Sequence, residues 1–137
     1  MPLEIRGVYL EVVHDPDADL SWLEQTPRQL GSLEAAVWNR RRLQALERGE
    51  WEPVGVRLVA DVALIIGGGE TQRCRFLTPG IWSVESDSGD DYFQAIADED
   101  APMLADDLGE VGFPESEILA WLGEPGHRPI FEIREEA

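Results

Sequence analysis

Hydrophobic and polar residues alternate along this chain with two different periods, and the period decides which element each stretch can form. Val54 to Ile66 is the clearest case, with Val54, Val56, Leu58, Ala60, Val62, Leu64 and Ile66 set against Gly55, Arg57 and Asp61. That is the period-two signature of a strand, and an apolar run of this length belongs near the centre of a sheet. Leu3 to Val13 reads as another strand, rich in β-branched residues, with Val8, Leu10 and Val12 on one face and Leu3, Ile5 and Tyr9 on the other. Gly67-Gly68-Gly69 ends the central run. Thr71 to Leu77 then returns as its hairpin partner, with Cys74 and Phe76 inward and Arg73 and Arg75 outward. After the turn at Thr78-Pro79-Gly80, Ile81 to Glu85 is a further strand with Trp82 and Val84 on one side and Ser83 on the other. Ile130 to Arg134 alternates again and closes the set.

The helical period appears between these strands. Ser32 caps a helix from Leu33 to Arg48 that ends at Gly49, and Leu33, Ala36, Val37, Leu43 and Leu46 form its buried stripe. Ser88-Gly89-Asp90-Asp91 has the form of a capping box with Asp in place of Glu. It opens a helix whose buried side holds Phe93, Ile96 and Ala97. Pro102 removes a donor and clashes with the preceding turn, so the pattern predicts a break there, with Asp100 capping a second segment from Met103 to Glu110. A short helix from Glu117 to Leu122 follows, anchored by Ile118, Leu119 and Trp121. The elements give an α+β fold: an antiparallel sheet of about five strands with helices packed on one face. The central strand is expected to place Val56, Leu58, Val62 and Leu64 against Leu43, Leu46, Phe93 and Leu104.

At 137 residues the chain fits a single domain able to bury most of its apolar surface. A hydrophobic share of 43% with five Trp excludes the disordered class that acidic chains often fall into. The start Met-Pro-Leu-Glu has no signal-peptide pattern and no window is apolar enough to span a bilayer, so the expectation is a cytoplasmic protein without membrane contact. The basic residues are all Arg, a bias that a GC-rich coding sequence explains as well as any need for guanidinium chemistry.

Charge changes the picture most. The formal net charge is −17, and its distribution is uneven: 2 Arg stand against 16 acids from residue 76 onward, and 9 Arg against 12 before it. Phe76 to His127 holds thirteen carboxylates and no Lys or Arg. Such a field repels nucleic acid and anionic membranes and attracts basic proteins. On helical spacing Asp91, Asp98, Glu99, Asp106 and Glu110 fall opposite Phe93, Leu104, Leu108 and Val111. Natural surfaces usually mix signs, and neighbouring like charges cost a helix about 0.2–0.5 kcal/mol each. Arg40-Arg41-Arg42 point in three directions about 100° apart, so pairing with the acids suits them better than a flat phosphate site.

Candidate chemistry is sparse. Asp15, Asp17 and Asp19 match the first half of a calcium loop, but Leu20 stands at its glycine and Thr26 at its bidentate glutamate. A turn with Asp19 capping a short helix through Trp22 and Leu23 is the expectation, with no metal. The triple glycine lacks the Lys-Ser/Thr of a phosphate loop and precedes a strand. One cysteine, Cys74, excludes an internal disulfide, and on the inward side of its strand it reads as a small core residue. His14 and His127 stand alone, and a carboxylate pair such as Asp90 with Asp91 has no specificity among so many acids. No catalytic, cofactor-binding or metal-ligating residue is assigned, and no cofactor is expected.

Arg48-Gly49-Glu50-Trp51, Val54-Gly55-Val56-Arg57, the run Gly80-Ile81-Trp82-Ser83-Val84-Glu85-Ser86-Asp87-Ser88 and Tyr92-Phe93 together resemble small acidic proteins encoded in bacterial genomes, prophages and mobile elements. The resemblance favours glycine where this chain has Ser83. It implies no activity and supplies no functional residues, only a genomic setting in which anti-defence proteins are common.

Two function classes follow. One is a non-enzymatic, DNA-mimicking decoy, of anti-CRISPR or anti-restriction type, that occupies the groove of a basic partner such as a nuclease or CRISPR effector. Its contact residues would be Glu85, Asp87, Asp90, Asp91, Asp98, Glu99, Asp106, Asp107 and Glu110, with no direct nucleic-acid binding. The other is a protein–protein interaction module whose acids serve solubility and whose partner meets exposed aromatics such as Trp38 or Trp51. A metal-dependent enzyme stands third. Pattern alone leaves the oligomeric state open.

Overall fold

The computed structural model describes residues 3–123 and 131–135. Their elements run β1 (Leu3–His14), a 3-10 turn (Ser21–Glu24), α1 (Pro27–Leu30), α2 (Leu33–Glu47), β2 (Pro53–Ile66), β3 (Glu70–Leu77), β4 (Ile81–Glu85), α3 (Asp90–Glu110), α4 (Glu115–Leu122) and β5 (Glu132–Glu135). The fold is α+β. The sheet order is β3-β2-β1-β5, and β4 pairs with the other half of the β2 edge that β3 occupies. Pairings among β1, β2, β3 and β4 are antiparallel, whereas β5 lies parallel to β1 with Leu10 opposite Ile133. The sheet is therefore mostly antiparallel rather than wholly so. Ile130 and His127, expected in the last strand and the loop before it, lie outside the described residues.

β2 is central, as its alternation requires. Val54, Val56, Leu58, Ala60 and Val62 enter the main core with Phe93, Ile96, Ala97, Leu104 and Leu108 of α3 and Ile118 and Leu122 of α4. The opposite face of the strand is also covered, since Val59 and Ala63 are fully buried. In β1 the strict alternation fails. Ile5 pairs with Val62 and Gly7 with Asp61, so Arg6 is the extra residue of a β-bulge. The extra residue resets the parity and puts Ile5 in the same core as Leu10 and Val12, with Leu3 packed against it. Next to the bulge, the Ile5 N–H donates to the Glu117 carboxylate of α4 at 3.1 Å.

A second bulge corrects the reading of β4. Val54 faces Val84 and Val56 faces Ile81, three residues against two. Ser83 takes φ of +58° there, the left-handed region that glycine prefers, and the inserted residue sends Trp82 to the face opposite Val84. The Trp82 ring lies over Gly55 so closely that a Cβ at 55 would stand 2.2 Å from it.

Two helical expectations also change. α3 runs unbroken through Pro102. An interior proline costs about 3 kcal/mol, but Phe93, Ile96 and Ala97 before it and Leu104 and Leu108 after it are all buried. Each large apolar side chain returns about 1.5–3 kcal/mol, so packing holds both halves on one axis. Asp100 caps nothing; it accepts from the Thr78 hydroxyl at 2.8 Å, which in turn accepts the Leu58 N–H. Nor does Ser88 form the capping box: Gly89 is the N-cap, and the Ser88 hydroxyl donates to the Glu85 carbonyl at 2.6 Å.

α2 stands apart from that layer. Leu43 and Leu46 pack with Leu20, Leu23, Ala45 and Trp51 in a separate small cluster, not against Val56, Leu58 and Val62. Ser32 caps α2 as expected, its Oγ accepting the Ala35 N–H at 3.1 Å. The one-turn helix α1 has a capping box between Thr26 and Gln29 and Pro27 in its first turn, a Thr-x-x-Gln signal that sequence patterning could have used.

Candidate acidic interface

α3 turns its apolar side to β2 because Phe93, Ala97, Leu104 and Leu108 recur at helical spacing. The same periodicity puts Asp91, Asp98, Glu99, Asp106 and Glu110 toward the outer side, with Ala95 and Pro102 between them. Asp91, Glu99, Asp106 and Glu110 are exposed, and Asp98 is partly covered, accepting from Gln94 Nε2 at 2.9 Å. Gln94 is itself buried, and its Oε1 accepts the Phe131 N–H at 3.2 Å, so it ties the helix to the entry of β5. Asp90 is exposed in the first turn, where the helix dipole favours a carboxylate. Asp107 is partly covered, toward the side of Asp100.

Glu85 and Asp87 belong to a different arrangement. Arg42 of α2 donates through Nε to Glu85 at 2.8 Å and through both terminal nitrogens to Asp87 at 2.6 and 3.0 Å. Its guanidinium also stands 4.9 Å from the Trp51 ring centre, and Trp51 Nε1 donates to the Arg42 carbonyl at 2.9 Å. The Arg42 hydrogen bonds hold Asp87 below the usual carboxylate range. Of the nine acids expected to meet a partner, these two share the single charge of Arg42 within the fold and seven lie on α3. Of the three consecutive arginines, Arg42 pairs internally, while Arg40 and Arg41 have no carboxylate within ion-pair distance among the described residues.

The sheet face away from α3 carries mixed charge that sequence reasoning did not assemble. Glu11 is 8% exposed and lies between Arg57, at 2.6 Å, and Arg75, which also donates to the Tyr9 hydroxyl at 3.1 Å. Burial pushes the Glu11 carboxyl up, but Arg57 and then Arg75 more than reverse this and hold it below its ordinary value. Arg134 lies over the Tyr9 ring at 4.1 Å. The cross-strand register could have found this set: Glu11 faces Arg57, and Asp61 faces Arg75.

The remaining candidates resolve into structural roles. Asp15 is buried; its oxygens accept the N–H groups of Asp17 at 3.2 Å and Ser83 at 2.9 Å. Asp19 accepts the Ser21 N–H at 3.0 Å, just before the 3-10 turn whose N-cap is Leu20. Cys74 lies opposite Val62, on the core side of the sheet like Phe76, but it is exposed rather than a core residue, because β3 is an edge strand. Among the aromatics, Trp51 is 3% exposed, which corrects its reading as a contact, while Trp38 is 62% exposed. Among the described residues no group of three His, Cys, Asp or Glu could hold a metal ion, and no helix is long and apolar enough to cross a membrane. No protein-family model matches the chain, and neither a curated protein nor a solved structure is significantly similar to it.

Proposed function

We propose that the outer side of α3 is a nucleic-acid decoy, so that the protein inhibits a basic partner, a nuclease or CRISPR effector in the cytoplasm, without catalysing a reaction. The observation that carries this reading is the unbroken length of α3. Its 21 residues hold eight carboxylates and no cation, and at about 1.5 Å per residue the helix is about 31 Å long. Five of the eight, Asp91, Asp98, Glu99, Asp106 and Glu110, lie toward the outer side, roughly one charge per 6 Å of axis, a row of one sign although sparser than the roughly 3.4 Å per charge of one DNA strand. The packing of α3 does not call for such a load, since its buried side is apolar. The resemblance to proteins of prophages and mobile elements adds the class of target.

A decoy of this kind competes with DNA or RNA for one groove, and its binding weakens steeply with salt. Replacing Asp91, Asp98, Glu99, Asp106 and Glu110 together by Asn or Gln removes inhibition, while circular dichroism shows the fold retained or slightly stabilised. The partner is recovered by pull-down from the host cell. A partner indifferent to salt and to those five substitutions sinks the decoy and leaves the interaction-module reading, which the exposed Trp38 of α2 favours.

A further inference from the structure

The outer face of α2 is apolar without cover: Leu33 is 69%, Trp38 62% and Val37 43% exposed. Helical spacing sets Leu33, Glu34, Val37, Trp38 and Arg41 away from Asn39, Leu43 and Leu46, and the open face ends one turn beyond Arg41, where Ala45 is buried in the small cluster. Grooves run along both flanks of this ridge, one beside Trp38 and Arg41 and the other between Val37 and Pro27. The surrounding charge is close to balanced, unlike that of the whole chain. Of the five arginines in residues 27–48, Arg42 is paired with Glu85 and Asp87 and Arg48 with Glu50, which leaves Arg28, Arg40 and Arg41 against Glu34 and Glu47, near balance in a chain of −17.

We propose that this face is the contact of a two-fold symmetric dimer, with α2 packed antiparallel on α2 of a second copy and the axis between Val37 and Trp38. Residues equally far from that axis then face each other. Val37 meets Trp38 of the second copy, and Glu34 meets Arg41 of the second copy, each pairing occurring twice because a two-fold contact is self-complementary. A parallel arrangement in register would set Arg41 on Arg41 and Glu34 on Glu34, and so is disfavoured by charge. The second copy is the occupant because one helix face carries both halves of this complementarity. The acidic α3 helices belong to other elements of the two subunits, so the dimer meets where the charge is least negative. A helix of 15 residues is about 22 Å long, so the contact stays below about 1,200 Å², the range of weak association.

Sedimentation velocity on the full chain, from about 1 to about 500 μM to bracket weak association, tests this. The wild-type mass moves from 15.3 kDa toward twice that value as concentration rises. Trp38→Ala, Glu34→Arg and Arg41→Glu each stay monomeric, with circular dichroism confirming the helix. An equimolar mixture of the Glu34→Arg and Arg41→Glu chains dimerises again, and so does the double variant, because the charges are complementary once more. A wild type that stays monomeric throughout overturns the proposal, even if that monomer binds an acidic, apolar segment of another protein. A dimer that survives all three single substitutions, and so uses another surface such as the β3 edge, overturns it equally.

Discussion

The Asp15 carboxylate accepts the backbone N–H of Ser83 at 2.9 Å, joining two residues 68 positions apart. The same side chain accepts from Asp17, and its backbone N–H donates to the Pro53 carbonyl at 3.0 Å. One buried acid thus fastens the end of β1 to the start of β2 and to the bulge of β4. A calcium-loop pattern in sequence is a strand-end clamp in three dimensions.

Asp15→Ala leaves the N–H groups of Ser83 and Asp17 without this acceptor. Losing a partner for a buried donor costs about 1–3 kcal/mol, so the urea midpoint falls with an unchanged slope. At Ser83 the left-handed backbone favours glycine, while glycine loses more chain entropy on folding. Ser83→Gly is therefore neutral or stabilising by up to about 1 kcal/mol, and Ser83→Val is destabilising. A clear loss of stability in Ser83→Gly would contradict the strain at this bulge.

Glu11 and Asp87 titrate below their ordinary values in the folded state. Their contribution to stability is present above the unfolded carboxylate pKa, about 4.3 for Glu and 3.9 for Asp, and is lost as pH falls through the lower folded values. Glu11→Gln removes one acceptor charge between Arg57 and Arg75 and costs about 1–3 kcal/mol at pH 7. The gap between wild type and variant narrows below about pH 4. Denaturation curves at pH 7, 5 and 3 check this, and a gap constant across the series rules it out.

Gly55 is required by the ring above it rather than by its own backbone. Gly55→Ala drives a methyl into Trp82, and overpacking of this kind costs about 1–3 kcal/mol. In the background of Trp82→Ala the same substitution becomes nearly silent, so the double-mutant cycle shows strong coupling. Additive losses would place the Trp82 ring elsewhere.

Some of this architecture is dictated locally. The apolar alternation from Val54 to Ile66 makes β2 central whatever surrounds it, because covering both neighbours of such a strand is the way to bury it. Ser32 before Leu33 caps α2 through a bond three residues away, and the triple glycine turns β2 into β3. The acid-rich, cation-free composition of α3 is likewise a property of the sequence. Other features required the tertiary structure. The bulges at Arg6 and Ser83 shift parity by one residue, and no periodicity reveals an insertion that is held in place by Glu117 or Asp15 from distant elements. Pro102 breaks a helix in isolation, yet here the core clamps Ile96 and Leu104 on either side of it. α2 has apolar residues at helical spacing, but which of them are buried depended on the small cluster around Trp51, which selects Leu43 and Leu46 and leaves Leu33, Val37 and Trp38 in water. Charge count is additive along a chain, so the sequence fixes the sign of the field. Pairing depends on distance, so only the fold decides that Arg42 pairs with Glu85 and Asp87 while Glu99, Asp106 and Glu110 face outward.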